Sequence, residues 1–237
     1  MAGRISSWRD GVLSLGGGLS FVVSLLYGVS RYVTDFESPR PARGAGAAAF
    51  DVLLFSVFAL HHSLFARTGL KRHVEALVSP ALERSVYVWI ASALFIGVCA
   101  AWQPVGGTVW TMPMPWAALG TALQTAGLVV TVIASRQLDV FSLAGIRQAL
   151  RQPAATHDHV VRDGMYAFVR HPLYFGWALM VFPAPHMTAT RLVFATVSTC
   201  YLAVAIPFEE RALRREFGAE YDAYAKHVRW RMMPGVY

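Results

Sequence analysis

The sequence predicts an all-α integral membrane protein, and three observations support this fold class. Hydrophobic residues make up 55% of the 237 residues, charged residues make up only 15%, and the mean hydropathy is +0.43. Apolar runs recur along the chain, several of them close to the roughly 20 helical residues that cross about 30 Å of hydrocarbon. Basic residues cluster in the polar segments between the runs. We therefore interpret the formal charge of +7 as membrane topology and expect no nucleic-acid partner.

The apolar runs define the predicted helices in order. Four full spans are expected near 11–33, 46–66, 84–103 and 115–136. The next stretch, 172–207, is too long for one helix and contains Pro183 and Pro185, before which helices usually end. We interpret it as a hairpin of a short helix (172–183) and a full span (188–207). The predicted fold is a bundle of five transmembrane helices plus one short membrane helix.

A C-terminal amphipathic helix is expected after the last span. Its apolar stripe recurs at intervals of three or four residues, at Leu213, Phe217, Tyr221, Tyr224 and Val228. We treat the chain as a single membrane domain with two parts. Residues 1–136 form the N-terminal four-helix part, and residues 137–237 carry a loop, the hairpin and this helix.

Charge placement orients the predicted bundle. With both termini on the cytoplasmic side, 17 of the 21 basic residues fall in cytoplasmic segments. The exceptions are Arg31, Arg40, Arg43 and Arg191. Because cytoplasmic loops of membrane proteins are rich in Lys and Arg, this distribution favours six membrane segments over five. The loop 137–171 and the tail 208–237 then form the walls of a cytoplasmic site.

The motif "GMYAFVRHPLYFGW" (164–177) places charge at the edge of a membrane segment. Pro172 suits the first turn of a helix, so Arg170 and His171 precede a helix N-terminus, where free N–H groups favour anions. One alternative is that Arg170 pairs with lipid phosphate and His171 only caps the helix. The other is an anion-binding corner of a functional site.

Glu209 and Glu210 close the last predicted span at the lipid boundary, where carboxylates need a partner or a role. Glu210 has Arg214 four residues further on, so a local ion pair is one explanation. Glu209 has no basic residue at that spacing.

Taken together, "GMYAFVRHPLYFGW", a hairpin and "EERALRREFGAEYDAY" resemble the C-terminal signature of a family of membrane-embedded methyltransferases. This family is typified by isoprenylcysteine carboxyl methyltransferase and phosphatidylethanolamine methyltransferases. "HHSLFAR" (61–67), "ERSVYV" (83–88), "WQPV" (102–105), "LDVFSLAGIRQ" (138–148) and "PHMT" extend the similarity toward the bacterial methanethiol S-methyltransferases. The chain departs from the family after Val228, where Arg229, Trp230 and Arg231 replace a Val-Pro step.

The resemblance implies S-adenosyl-L-methionine as cofactor, bound by the hairpin and tail at the cytoplasmic face, in a bacterial inner membrane. A cationic corner suits the methionine carboxylate, and carboxylate or aromatic groups suit the sulfonium. The expected cofactor-binding residues are Tyr166, His171, Tyr174, Gly176, Glu209 and Tyr221. Arg170 and Glu210 are the expected catalytic residues, with Arg170 steering or activating the acceptor. Gly176 allows close approach of either a ligand or a neighbouring helix.

Three further residues are candidates for the wall of the acceptor site: Arg136, Asp139 and His62. For the His61-His62 pair the alternative is interfacial packing. The sequence predicts no metal site, because neither histidine has a metal-ligating residue at i+4.

The predicted function is methylation of a small or lipophilic thiol, such as methanethiol to dimethyl sulfide, with membrane lipid as the surroundings. Two alternatives stay open. One is carboxyl or lipid-headgroup methylation, since the signature is shared while acceptor pockets diverge. The other is a non-catalytic membrane scaffold similar to denitrification-linked relatives.

Overall fold

The chain is mostly helical. The computed structural model describes residues 8–44, 46–65, 80–138 and 159–237. Its helices are α1 (Trp8–Val33), α2 (Ala47–Phe65), α3 (Pro80–Ala101), α4 (Trp116–Gln137), α5 (Pro172–Val181), α6 (Ala189–Phe217) and α7 (Ala219–His227). A 3-10 turn spans Gly164–Ala167, and two short strands are β1 (Thr108–Thr111) and β2 (His186–Thr188).

Among the described residues, four helical segments are long and apolar enough to cross a membrane, as a multi-pass membrane protein requires. They are Gly11–Val33, Leu82–Ala101, Trp116–Gln137 and Ala189–Phe217. The predicted span 46–66 contains the helix Ala47–Phe65, whose apolar part, Ala47–Ser63, is shorter than the four spans, as is the helix Pro172–Val181. Large apolar side chains such as Leu26, Leu53 and Val204 are exposed on these helices, as expected where lipid is the solvent.

The described residues fall into two compact units. The first takes those within Met1–Asp35 and Ala49–Trp102. In it, α1 packs closely on α3, because Gly16 and Gly28 leave room for Trp89 and Phe95: a Cβ at either glycine would lie within 2.8 Å of the facing ring. The hydroxyl groups of Ser14 and Ser85 lie 2.6 Å apart and join the same two helices.

The second unit takes the described residues within Phe36–Ala48, Gln103–Leu138 and His157–Tyr237. Its central contact is between α4 and α5, where a Cβ on Gly127 would lie 2.6 Å from the carbonyl oxygen of Gly176. Gln124 Nε2 donates to the Met180 carbonyl at 2.8 Å across the same interface. β1 pairs with β2 in antiparallel register, with Trp110 opposite Met187.

The helix α6 differs from the prediction at its C-terminal end. It begins at a Thr188 cap, whose side chain accepts from Arg191 N at 3.1 Å, and continues through Pro207 to Phe217. A proline removes only one hydrogen bond, and the contacts of the turns that follow keep the helix intact. α6 ends at Gly218, whose φ of +56° favours glycine. The predicted amphipathic stripe is therefore divided between α6 and α7.

Candidate active site

The predicted motif and the C-terminal segment are joined through their backbones. Arg170 N donates to the Trp230 carbonyl at 2.9 Å, and His171 N donates to the Arg231 carbonyl at 2.7 Å. Pro172 then begins α5, as the sequence predicts. The residues just before α5 and the residues after α7 therefore form one wall of the site.

Arg170 is buried and its contacts are all with protein groups of the second unit. Its Nε lies 2.7 Å from Glu210 Oε1, and its side chain is 7% exposed. One terminal nitrogen, Nη1, donates to the carbonyl oxygens of Ala225, Val228 and Arg229 at 3.3, 2.8 and 3.2 Å. Arg170 thus ties α6 to the C-terminal end of α7. These contacts favour a positioning role, and its predicted role toward the acceptor stays a prediction.

Glu210 is the centre of a buried ionic cluster. Its side chain has no exposed surface, and besides Arg170 it has three further cationic or titratable neighbours. Arg214 Nη2 and Arg231 Nε each lie 3.5 Å from Oε2, and His171 Nε2 lies 3.6 Å from Oε1. The local pair with Arg214 is present, but it is only one part of the cluster.

His171 lies between the two carboxylates. Its Nδ1 is 3.4 Å from Glu209 Oε2, and its ring stacks on Tyr174 with centroids 5.4 Å apart and an angle of 8° between planes. Burial acts to lower the pKa of His171, but the neighbouring carboxylates of Glu209 and Glu210 outweigh it, so the pKa is raised. A raised pKa favours the imidazolium, which suits an anionic ligand.

Three tyrosines surround the carboxylates. The Tyr174 hydroxyl donates to Glu209 Oε1, while Tyr166 is buried and its carbonyl accepts from the Tyr224 hydroxyl at 2.8 Å. Burial, followed by the charge of Glu209, raises the pKa of Tyr166. Tyr221 is 1% exposed, and burial followed by the charge of Glu210 raises its pKa to about 12. These phenols therefore remain neutral hydrogen-bond donors at physiological pH.

Three polar atoms of this cluster are buried without a hydrogen-bond partner among the residues that the structure describes. They are His171 Nε2, Glu210 Oε2 and the Tyr221 hydroxyl. Buried polar atoms normally make hydrogen bonds, so several such atoms without a hydrogen bond in one place are typical of a site that binds a polar ligand. All three atoms belong to residues that the sequence predicted for the site.

The other predicted residues lie elsewhere. Gly176 is buried against α4, where a Cβ would contact Thr131 Oγ1 and lie 2.8 Å from the Gly127 carbonyl, so the helix-packing alternative accounts for it. Its contact with a cofactor stays a prediction. Arg136 is exposed in the last turn of α4, next to Gln137, whose Nε2 donates to the Asp163 carbonyl at 3.0 Å.

The remaining two acceptor-site candidates, His62 and Asp139, stay predictions. His62 belongs to the first unit, where its Nδ1 lies 2.6 Å from the Tyr87 hydroxyl and its ring stacks on Phe58. Asp139 lies outside the described residues.

Sequence reasoning missed Arg231 and Tyr224 as parts of the cluster. Tyr224 was predicted only as packing, and it also holds the Tyr166 carbonyl. Arg231 lies in the segment where the sequence departs from the family signature. The departure from the family signature could have indicated Arg231, because a charged side chain that replaces an apolar residue next to a site needs a partner of opposite charge.

Helices of membrane-spanning length and a buried cluster of carboxylates, arginines and tyrosines at the end of one of them define a multi-pass membrane protein with a candidate ligand site. Comparison with known proteins agrees with this class. Residues 69–228 match the family described as "Protein of unknown function (DUF1295)". No solved structure matches the chain significantly.

Several relatives are methanethiol S-methyltransferases. Methanethiol S-methyltransferase 2 of Bradyrhizobium diazoefficiens is 33% identical over 88% of this chain and 84% of its own length. The Mycobacterium tuberculosis enzyme is 32% identical over 89% of this chain and 90% of its own length. Nurim of Xenopus laevis is 27% identical over 81% of this chain and 68% of its own length. The chain belongs to the DUF1295 family and is related to methanethiol S-methyltransferases.

Proposed function

We propose that the protein is an integral-membrane methyltransferase that transfers a methyl group from S-adenosyl-L-methionine to a small thiol, such as methanethiol, giving dimethyl sulfide. The observation that carries this proposal is the group of buried polar atoms on His171, Glu210 and Tyr221 that accept or donate no hydrogen bond within the described residues. The similarity to methanethiol S-methyltransferases over most of the chain gives the proposed reaction.

The residues of the cluster fit the proposed cofactor by their chemistry. The imidazole of His171, with its raised pKa, suits a carboxylate such as that of the methionine moiety. The part-exposed carboxylate of Glu209, which accepts from the Tyr174 hydroxyl, suits a cationic sulfonium by its charge. The Tyr221 hydroxyl is a neutral donor for a remaining polar group. When bound, S-adenosyl-L-methionine supplies an activated methyl group on its sulfonium sulfur, and the demethylated cofactor leaves as a neutral thioether.

The protein's own contribution is to hold two partners in line and to exclude water. Arg170 acts as a positioning residue in this proposal, because its Nε and Nη1 hold Glu210 and the C-terminal end of α7. Glu210, fully buried among arginines, keeps His171 charged and oriented. This revises the predicted catalytic role of both residues toward positioning.

The thiol acceptor has its own requirement. The thiolate is the nucleophile, and an unperturbed thiol ionises near pH 8.5. The His171 imidazolium is the cation of the cluster whose Nε2 is not hydrogen-bonded within the described residues, so we assign it to stabilising the thiolate or the cofactor carboxylate. A carboxylate acceptor is already ionised and needs only orientation, so carboxyl methylation stays an alternative reaction. Lipid-headgroup methylation stays a second alternative.

We further propose that the predicted topology applies: five spans and one short helix, both termini in the cytoplasm, and the site at the cytoplasmic face of a bacterial inner membrane. The support is the basic bias of the loops and the position of Glu209 and Glu210 near the end of α6. Membrane lipid and a small or lipophilic acceptor are then the partners of the site.

The testing experiment is calorimetric titration of S-adenosylhomocysteine into detergent-purified protein, paired with a headspace assay for dimethyl sulfide from methanethiol. We expect binding and product, and about tenfold or greater loss of affinity in His171→Ala, as removal of a charged hydrogen-bonding group predicts. His227→Ala is the matched control, since His227 is exposed at the end of α7.

Each outcome has a distinct meaning. Binding of S-adenosylhomocysteine without formation of dimethyl sulfide would support a methyltransferase but refute methanethiol as its acceptor. Absence of binding by folded protein would refute the methyltransferase and favour a non-catalytic scaffold. The similarity to Nurim, whose name denotes no reaction, is the reason for including that outcome.

A further inference from the structure

Arg231 contacts the cluster from a segment to which the proposed function assigns no role. Its Nε lies 3.5 Å from Glu210 Oε2, and its side chain is 35% exposed. Arg170 contacts the other oxygen, Oε1, at 2.7 Å. The two oxygens of one buried carboxylate thus face arginines from two separate segments, Oε1 through a hydrogen bond to Arg170 and Oε2 through an ion-pair contact with Arg231.

Tyr237 orients Arg231 in three ways. The Arg231 guanidinium lies over the Tyr237 ring, 5.2 Å from its centroid, and Nη1 donates to the Tyr237 hydroxyl at 3.2 Å. That hydroxyl donates in turn to the Ala203 carbonyl of α6 at 3.4 Å. The Tyr237 carbonyl oxygen accepts from the backbone N–H groups of residues 231, 232 and 233 at 3.0, 2.9 and 3.0 Å.

Arg214 makes a similar ion pair but shares its charge with a second carboxylate. It also lies 3.5 Å from Glu210 Oε2, but its Nε is paired with Asp222 at 3.1 Å and its guanidinium lies over the Tyr221 ring. Within the described part of the chain, the side-chain carboxylate that pairs with Arg231 is that of Glu210. Its charge is therefore directed at the one carboxylate.

We propose that Arg231, oriented by Tyr237, is a positioning residue of the cofactor site: it holds Glu210 Oε2 so that His171 and the carboxylate keep the geometry that binds the cofactor. This inference rests on the proposed function and adds a residue to the same site. It also gives the charged segment after Val228 a role, since the backbone of Arg231 accepts from His171 N while its side chain reaches Glu210.

The test measures S-adenosylhomocysteine affinity by calorimetry in single variants. Arg231→Gln is expected to weaken binding about tenfold and Tyr237→Phe about threefold, within the range for coupled neighbours. Arg231→Lys, which keeps the charge, should recover most of the loss, whereas a space-filling role would not distinguish lysine from glutamine. Arg229→Gln is the matched control, because it removes an exposed arginine two residues away and should leave the affinity unchanged.

A double-mutant cycle separates action through Glu210 from a general structural effect. In a Glu210→Gln background the effect of Arg231→Gln should fall below about twofold. Equal loss in both backgrounds, or a loss no greater than with Arg229→Gln, would overturn the inference. If Arg231→Gln does not fold, Tyr237→Phe, which removes a single hydroxyl, carries the same comparison.

The two proposals fail differently. Wild-type protein that binds no S-adenosylhomocysteine would refute the proposed function, and with it this role of Arg231. Wild-type protein that binds while Arg231→Gln binds equally well would refute only the inference about Arg231.

Discussion

Replacing Glu210 by glutamine tests the central feature of the site, its buried carboxylate. The side chain is fully buried and hydrogen-bonded to Arg170 at 2.7 Å, with Arg214 and Arg231 at 3.5 Å. Removing one partner of a buried ion pair costs about 3–5 kcal/mol, because the remaining charge is left uncompensated. Glutamine keeps an oxygen that can accept from Arg170, so we expect a loss near the lower end, about 3 kcal/mol in the free energy of unfolding.

The assay is thermal unfolding of purified protein in one detergent, followed by circular dichroism. For a chain of this length, about 3 kcal/mol corresponds to a fall of about 6–12 °C in the unfolding temperature. Glu216→Gln is the matched control: the same chemical change on the same helix at an exposed position, where we expect almost no effect. A fall with Glu210→Gln no larger than with Glu216→Gln would refute the reasoning.

Three further changes test other parts of the molecule. Because the pKa of His171 is raised, its contribution to the free energy of unfolding is complete below about pH 6.5 and is lost as the pH rises through the folded value. The unfolding temperature should therefore fall with pH over that range in the wild type, and an equally steep fall in His171→Gln would contradict this. Tyr221→Phe removes a buried hydroxyl without a partner among the described residues, so it should leave stability unchanged or raise it by about 1 kcal/mol while weakening S-adenosylhomocysteine binding; unchanged binding in calorimetry would exclude Tyr221 as a cofactor contact. Gly176→Ala should lower stability by about 1–3 kcal/mol, because its methyl group would meet α4, whereas Gly97→Ala, with nothing within 4 Å, should not; equal unfolding temperatures would refute the packing argument.

The sequence was sufficient to predict the helices because length and hydropathy decide them locally. The predicted spans 11–33 and 115–136 match α1 and α4 to within a few residues. The helix α6 continues past the predicted span 188–207 to Phe217, because hydropathy marks where an apolar span ends and does not mark where the helix ends. The short strands β1 and β2 were not predicted, since three or four residues give too little pattern.

The sequence singles out several residues of the buried cluster but not the contacts between them. Glu209, Glu210 and His171 were identified because charge at a lipid boundary needs a partner. That Arg170 holds the carbonyls of residues 225, 228 and 229 depends on the tail folding back after Gly218. Such contacts span more than 50 residues and leave no periodic signal in one sequence.

The length of α6 couples the site to the membrane itself. Its 29 residues measure about 44 Å at 1.5 Å per residue, more than the roughly 30 Å thickness of bilayer hydrocarbon. Its apolar part, residues 189–208, takes about 30 Å of that length, and Glu209 and Glu210 continue the same helix directly beyond it. Under the proposed topology, a change in bilayer thickness that tilts α6 would therefore also displace the two carboxylates.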